Sequence, residues 1–192
     1  ASLVHAMRSP RAASVALLSI SSAMPLGLVW YSIPDWMRSI GVDIRIAQAV
    51  EEMVEALFAS GGLSGLVNNA AGNFISPTEA LSPRGFDAIA GIVFHGSFYV
   101  TQAIGKRWVA QAKAGEWKAG QPCRSVMSII TTWVDNGSPY VVPSAMSKAG
   151  IDIMSKSLAV EWAKYGIRLN TVGPGEIPTE GMSKRLNPGE QP

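Results

Sequence analysis

The sequence predicts an α/β domain with a doubly wound parallel sheet, on two observations. Short apolar runs alternate with longer stretches of helical period along the chain, which is the pattern of strands and crossover helices. The runs themselves carry little polar alternation, as strands do when both sheet faces are covered. With 192 residues, 47% of them hydrophobic and 16% charged, one core and one domain over 1–192 are expected.

The elements follow in order. The first 34 residues hold Arg8 and Arg11 but no acidic residue, a composition also met in leader segments. The apolar stretch 23–33 is broken by Pro25 and Gly27 and is too short to span a bilayer. Because the chain opens on Ala1 rather than Met, a piece of a longer protein is expected. Residues 15–19 form the first strand candidate, and Pro25, Gly27 and Pro34 leave 20–35 without an assignable element. A second strand is expected over 41–45. Helix 47–59 follows, with Val50, Met53, Val54, Leu57 and Phe58 at helical spacing. Next come a strand over 63–68, a long helix over 83–114, and a Gly- and Pro-containing loop over 112–122. Strand 125–131, helix 144–165 with the apolar stripe Ile151, Met154, Leu158 and Trp162, and strand 167–172 complete the series.

Charge and cysteine content narrow the partners. Sixteen basic against fourteen acidic residues give a net charge of +2 without a block of one sign, so neither a nucleic-acid groove nor a membrane-binding face is expected. A small-molecule partner is. The lone Cys123 has no disulfide or metal-spaced companion, so no metal site is expected. It suits a reducing compartment such as the cytoplasm and reads as a buried or half-buried spectator.

Three motifs carry chemistry. Leu66-Val67-Asn68-Asn69-Ala70-Ala71-Gly72 closes a strand at the place where open parallel sheets bind ligands. Its small residues let a flat ring approach the backbone, and the amides of Asn68 and Asn69 can bond neighbouring main chain; by pattern alone it is also an ordinary turn. Ser144-Ala145-Met146-Ser147-Lys148-Ala149-Gly150 opens a helix after Pro143, and its four-residue spacing stacks Ser144 and Lys148 on one face. A lysine there can bond a ribose hydroxyl, while a plain N-cap serine and a solvated lysine are the simpler alternative. The third, Arg168 to Thr179, runs a strand into Gly173-Pro174-Gly175-Glu176-Ile177-Pro178-Thr179, a turn that exposes main-chain donors and acceptors.

In order and spacing these motifs resemble the short-chain dehydrogenase/reductase family, and the run Asn69-Ala70-Ala71-Gly72-Asn73-Phe74 with Val142-Pro143-Ser144-Ala145 is similar to its 2,4-dienoyl-CoA reductase branch. The resemblance implies a Rossmann-like fold, NADP or NAD as cofactor with NADP favoured, and hydride transfer to a conjugated acyl-CoA thioester. By position it implies Lys148 at the nicotinamide ribose and Asp43 at the adenine. Asn69, Ala70 and Ala71 would line the ribose, with Pro174, Gly175, Ile177 and Thr179 facing the nicotinamide. Asn73 and Phe74 would line the substrate pocket, Thr131 takes the place of the family's helper serine, and homo-oligomers, tetramers in particular, are implied through the two long helices.

The chain also departs from that pattern. Ser144 stands where most of the family has a proton-donating tyrosine, and Trp133 where the dienoyl branch has its own. An indole donates a hydrogen bond but no proton at neutral pH. The branch asparagine that holds the thioester carbonyl corresponds to His95, which can donate a bond or a proton. Tyr140 is a spare phenol in the loop before Pro143. No glycine-rich pyrophosphate turn precedes residue 41. A domain without the first strand, its glycine turn and the substrate-covering end is therefore expected, with little or no activity in these 192 residues alone. The other expectation is a catalytically silent domain that binds a nucleotide or a partner through the same fold.

Overall fold

The computed structural model describes residues 45–73 and 75–175. The expected strand 15–19, most of strand 41–45, and the candidate residues Asp43, Phe74, Ile177 and Thr179 lie outside them. Arg45, the last residue of that second strand candidate, is in a turn.

Helix α1 (Ala47–Ala59) has the expected bounds and buries Val50, Val54 and Leu57, the face its spacing put together. Strand β1 (Gly65–Asn68) follows. Helix α2 (Pro83–Ala90) begins where Ser82 Oγ accepts a bond from the Gly85 amide at 3.1 Å, with Pro83 in the first turn, so a donor left open by the helix start is satisfied. The continuous helix expected over 83–114 is instead interrupted. A π turn (Gly91–His95) separates α2 from α3 (Gly96–Lys113). One extra residue in a turn leaves both flanking apolar stripes intact, which is why helical spacing does not reveal it. By length and mean hydropathy the whole stretch Pro83–Lys113 could cross a membrane, and half of its most apolar window is buried inside the protein, as in a core helix.

Strand β2 (Arg124–Ile129), the short helix α4 (Trp133–Asn136), the long helix α5 (Val142–Trp162) and strand β3 (Ile167–Val172) complete the described chain. Pro143 lies in the first turn of α5 and Val141 is its N-cap. Ser144 is therefore inside the helix and is not the cap; the Ser147 hydroxyl donates back to the Pro143 carbonyl at 2.7 Å.

The three strands are parallel in the order β1-β2-β3, with Leu66 opposite Val126 and Val126 opposite Leu169. These three side chains, with Ile167, meet Val50, Val54, Leu57, Ile104, Trp108 and Trp162 in one core. Helices α1, α3 and α5 thus cover one sheet face. Met127, on the other face, is exposed. The fold class is as the sequence predicts, a parallel α/β sheet with helical crossovers, of which the described residues hold three strands. Cys123 is exposed, contrary to expectation, because it sits at the end of the loop after α3 rather than in β2.

Candidate functional site

All three strands run the same way, so their carboxyl ends, at Asn68, Ile129 and Val172, open at one side of the sheet. Two of the three motifs emerge there directly, and α5 brings the third. Lys148, in the second turn of α5, is buried, and its Nζ donates to the carbonyls of Ala70 at 2.9 Å and Ile129 at 2.5 Å. The ammonium thereby ties the loop after β1 to the end of β2 and is not a solvated surface charge. Burial pushes its pKa down to about 8. An ammonium has three donors, and these carbonyls take two. Among the described residues the third has no acceptor.

Asn68 does not bond main chain, as its place in a turn-like run suggested. Its Nδ2 donates to Thr101 Oγ1 at 2.8 Å and to Ser128 Oγ at 3.2 Å, both of which are buried. Because the strand's burial pattern turns Asn68 inward, its amide pins β1 to β2 and α3 and so positions the four small residues that follow. Thr101 and Ser128 are functional supports that the sequence reading missed, since nothing in their local pattern marks them.

Asn69, Ala70 and Ala71 form the partly buried wall beside the Lys148 ammonium. Two residues on, both amide atoms of Asn73 are buried without a hydrogen-bond partner among the described residues, a state that costs roughly 1–3 kcal/mol and suits a group kept for a ligand. Thr131 is half-buried just past β2, and the Gly173 that opens the Pro174-Gly175 turn packs against its backbone, 3.6 Å from a Cβ position to the Thr131 carbonyl carbon. Ser144 is buried one helical turn before Lys148. These residues share one end of the sheet.

His95 ends the π turn and is exposed, its ring 5.6 Å from Phe94 and 6.1 Å from Tyr99, and the turn packs on the helix that carries Lys148 through Val93 against Ile151 and Phe94 against Gly150. Trp133 begins α4 and is half-buried. Asp152, one turn past Lys148 on α5, accepts from Thr171 Oγ1 at 2.9 Å and from Lys156 Nζ at 2.5 Å. These bonds, that from Lys156 first, hold its carboxyl below the usual range against the opposing effect of burial. The bond from Thr171 fastens α5 to β3 and keeps the helix in register with the strand ends, while that from Lys156 is an i,i+4 pair within α5.

Comparison with known proteins gives the same outline. A family model described as enoyl-(acyl carrier protein) reductase matches residues 13–191. The chain is 52% identical over 125 residues to "Probable 2,4-dienoyl-CoA reductase 3 [(3E)-enoyl-CoA-producing]" of Caenorhabditis elegans, covering 65% of this chain and 38% of that protein. To "Probable 2,4-dienoyl-CoA reductase [(2E)-enoyl-CoA-producing]" of Bacillus subtilis it is 38% identical over 152 residues, 78% of this chain and 56% of that one. The crystal structure of a short chain dehydrogenase from Bacillus anthracis superposes with a TM-score of 0.64 at 39% identity, over 71% of this chain and 54% of that chain. The chain thus spans between 38% and 56% of the length of these curated relatives.

Proposed function

From a chain that belongs to the short-chain dehydrogenase/reductase family, we infer that the protein carrying it reduces a 2,4-dienoyl-CoA or enoyl-CoA thioester with NAD(P)H, NADP being the favoured cofactor. The observation that carries this reading is the buried Lys148 ammonium, bonded to Ala70 and Ile129 with one donor to spare. That donor suits a ribose hydroxyl. The small wall of Asn69, Ala70 and Ala71 leaves room for the sugar, and the Pro174-Gly175 turn for the nicotinamide, so the described residues fit this end of the cofactor. When bound, the cofactor supplies hydride.

The chain's own residues supply binding and orientation. Lys148 holds the ribose, and its charge, fixed between two carbonyls, favours electron-rich oxygen nearby. Asn73 offers an amide donor with no competing protein partner, which suits the thioester carbonyl as its oxygen gains negative charge. Thr131 and Ser144 add hydroxyls to the polar rim. The closing proton comes from water or from His95, since Trp133 has no acidic proton. Asn73→Ala is expected to lower kcat/KM by about tenfold or more, with Tm unchanged or raised because an unpartnered buried amide is removed.

The test is stopped-flow loss of NAD(P)H absorbance on mixing with a dienoyl-CoA, made on the longest chain that carries these residues. Consumption of cofactor is expected, and no turnover with any dienoyl or enoyl thioester would refute the reading. The second reading, a silent domain that binds a nucleotide or a partner protein, is favoured by Trp133 and Ser144 standing where a phenol is expected. Nucleotide binding at equilibrium with no turnover would select it. A reducing compartment, the cytoplasm, accords with the unpaired Cys123.

The assembly is proposed to be a homo-oligomer, a tetramer by resemblance. Met146, Ile153 and Val160 are exposed at seven-residue spacing along α5, at 57%, 61% and 84%. That spacing aligns them on one stripe, and such a stripe is buried readily by a second copy of the same helix. Ile153→Glu with Val160→Glu is expected to release monomers in light scattering after size exclusion. An unchanged mass would remove α5 from the interface.

A further inference from the structure

Tyr140 has a φ of 66°, and it alone among the described non-glycine residues lies in the left-handed region. A residue with a large side chain reaches that conformation only against steric cost, and such outliers persist where the surroundings over-determine them. The surroundings do so here. The Tyr140 carbonyl accepts a bond from the Ser76 amide at 3.0 Å, which latches the loop between α4 and α5 to the loop after β1. On its other side Val141, buried, is the N-cap of α5. The backbone is held from both sides, and Tyr140 absorbs the turn.

A turn of this shape calls for glycine or asparagine, yet the position carries an aromatic residue that is 53% exposed. Ile75, next to the other partner of the latch, is 42% exposed. Both are exposed apolar side chains flanking one interloop hydrogen bond, at the end of the sheet where Asn73 and Lys148 lie. Apolar groups gathered beside a polar, partly buried site are what an amphiphilic ligand needs.

Resting on the thioester reading above, we propose that Tyr140 and Ile75 form an apolar lip that packs on the acyl chain and sets the preferred chain length, with the Ser76–Tyr140 latch fixing its position. The ring, and not the hydroxyl, performs this role. Tyr140 is thus a specificity-determining residue, and its strained backbone is the cost of holding the ring at the mouth of the site.

The experiment compares the parent chain with Tyr140→Phe, Tyr140→Gly and Ile75→Asn, reading the Kd of decanoyl-CoA and butanoyl-CoA by calorimetry together with Tm and, where turnover occurs, kcat. Tyr140→Phe should behave as the parent. Tyr140→Gly should melt no lower than the parent, since glycine accepts the left-handed φ without strain. It should also weaken decanoyl-CoA by about tenfold, the worth of covering about two methylenes, and butanoyl-CoA little. Ile75→Asn, which leaves Tyr140 in place, should shift the same length preference in the same direction. Equal weakening of both thioesters, or none, would overturn the lip while leaving the thioester reading intact. Loss of kcat in Tyr140→Phe would overturn it too, by giving the hydroxyl the proton-donor role. Failure of the parent to bind either thioester would refute the functional reading, and the lip with it.

Discussion

Replacing Lys148 with methionine is expected to change how stability depends on pH. Burial lowers the Lys148 pKa from 10.5 to about 8 in the folded protein, so between those values the unfolded chain binds the proton that the folded chain has lost. Stability of the parent protein must then rise with pH across that window. Below it the ammonium is buried in the folded state at a cost of about 3 kcal/mol relative to its neutral form. Above it the cost is gone. Urea unfolding of parent and Lys148→Met at about pH 7 and about pH 10 should show the parent gaining roughly 2–3 kcal/mol on the variant. A pH-independent difference would mean that the side chain is solvated and the site reading wrong. The same variant lacks the spare donor and should lose the protection that NADPH gives the parent in a melting assay.

Gly105→Ala is expected to destabilise the fold by about 2–3 kcal/mol, against the ordinary preference. In a helix interior alanine is better than glycine by about 1 kcal/mol, so helix α3 on its own would gain from the change. Packing reverses the sign. A Cβ at Gly105 would lie 2.2 Å from Cη2 and 2.5 Å from Cζ3 of Trp162, the core tryptophan at the end of α5. Because that ring is closed in by the core, it cannot swing away without opening a gap. A double-mutant cycle with Trp162→Leu should recover part of the loss, and a raised Tm in Gly105→Ala alone would contradict the helix contact.

Much of the fold was legible because it rests on periodic local signals. The bounds of α1 and β3 coincide with the expected 47–59 and 167–172, and Ile151 and Trp162 of the expected α5 stripe are buried. Errors fell where a single residue breaks a period or where a helix start depends on its neighbour. The π turn at Gly91–His95 adds one residue that no apolar count detects. Ser144 looked like a cap because caps are recognised by residue type, whereas Val141 and Pro143 start the helix by geometry. At the site, motif order correctly brought Lys148 to the segment after β1, 78 residues away in sequence. It did not reveal Thr101, Ser128 or Asp152, whose importance lies in the partners they meet.

By itself, the sequence determined most of the strands and helices among the described residues, that the strands lie parallel, and which small and basic residues lie near strand ends. Those properties follow from side-chain period and from backbone preferences that act over a few residues. Only the tertiary structure decided that Lys148 is buried and shares its protons between two carbonyls, that the Asn73 amide has no partner among the described residues, that a π turn ends at His95, and that Tyr140 is forced into a left-handed turn. Each of these depends on desolvation and on atoms contributed by distant segments, and neither quantity exists until the chain has closed on itself.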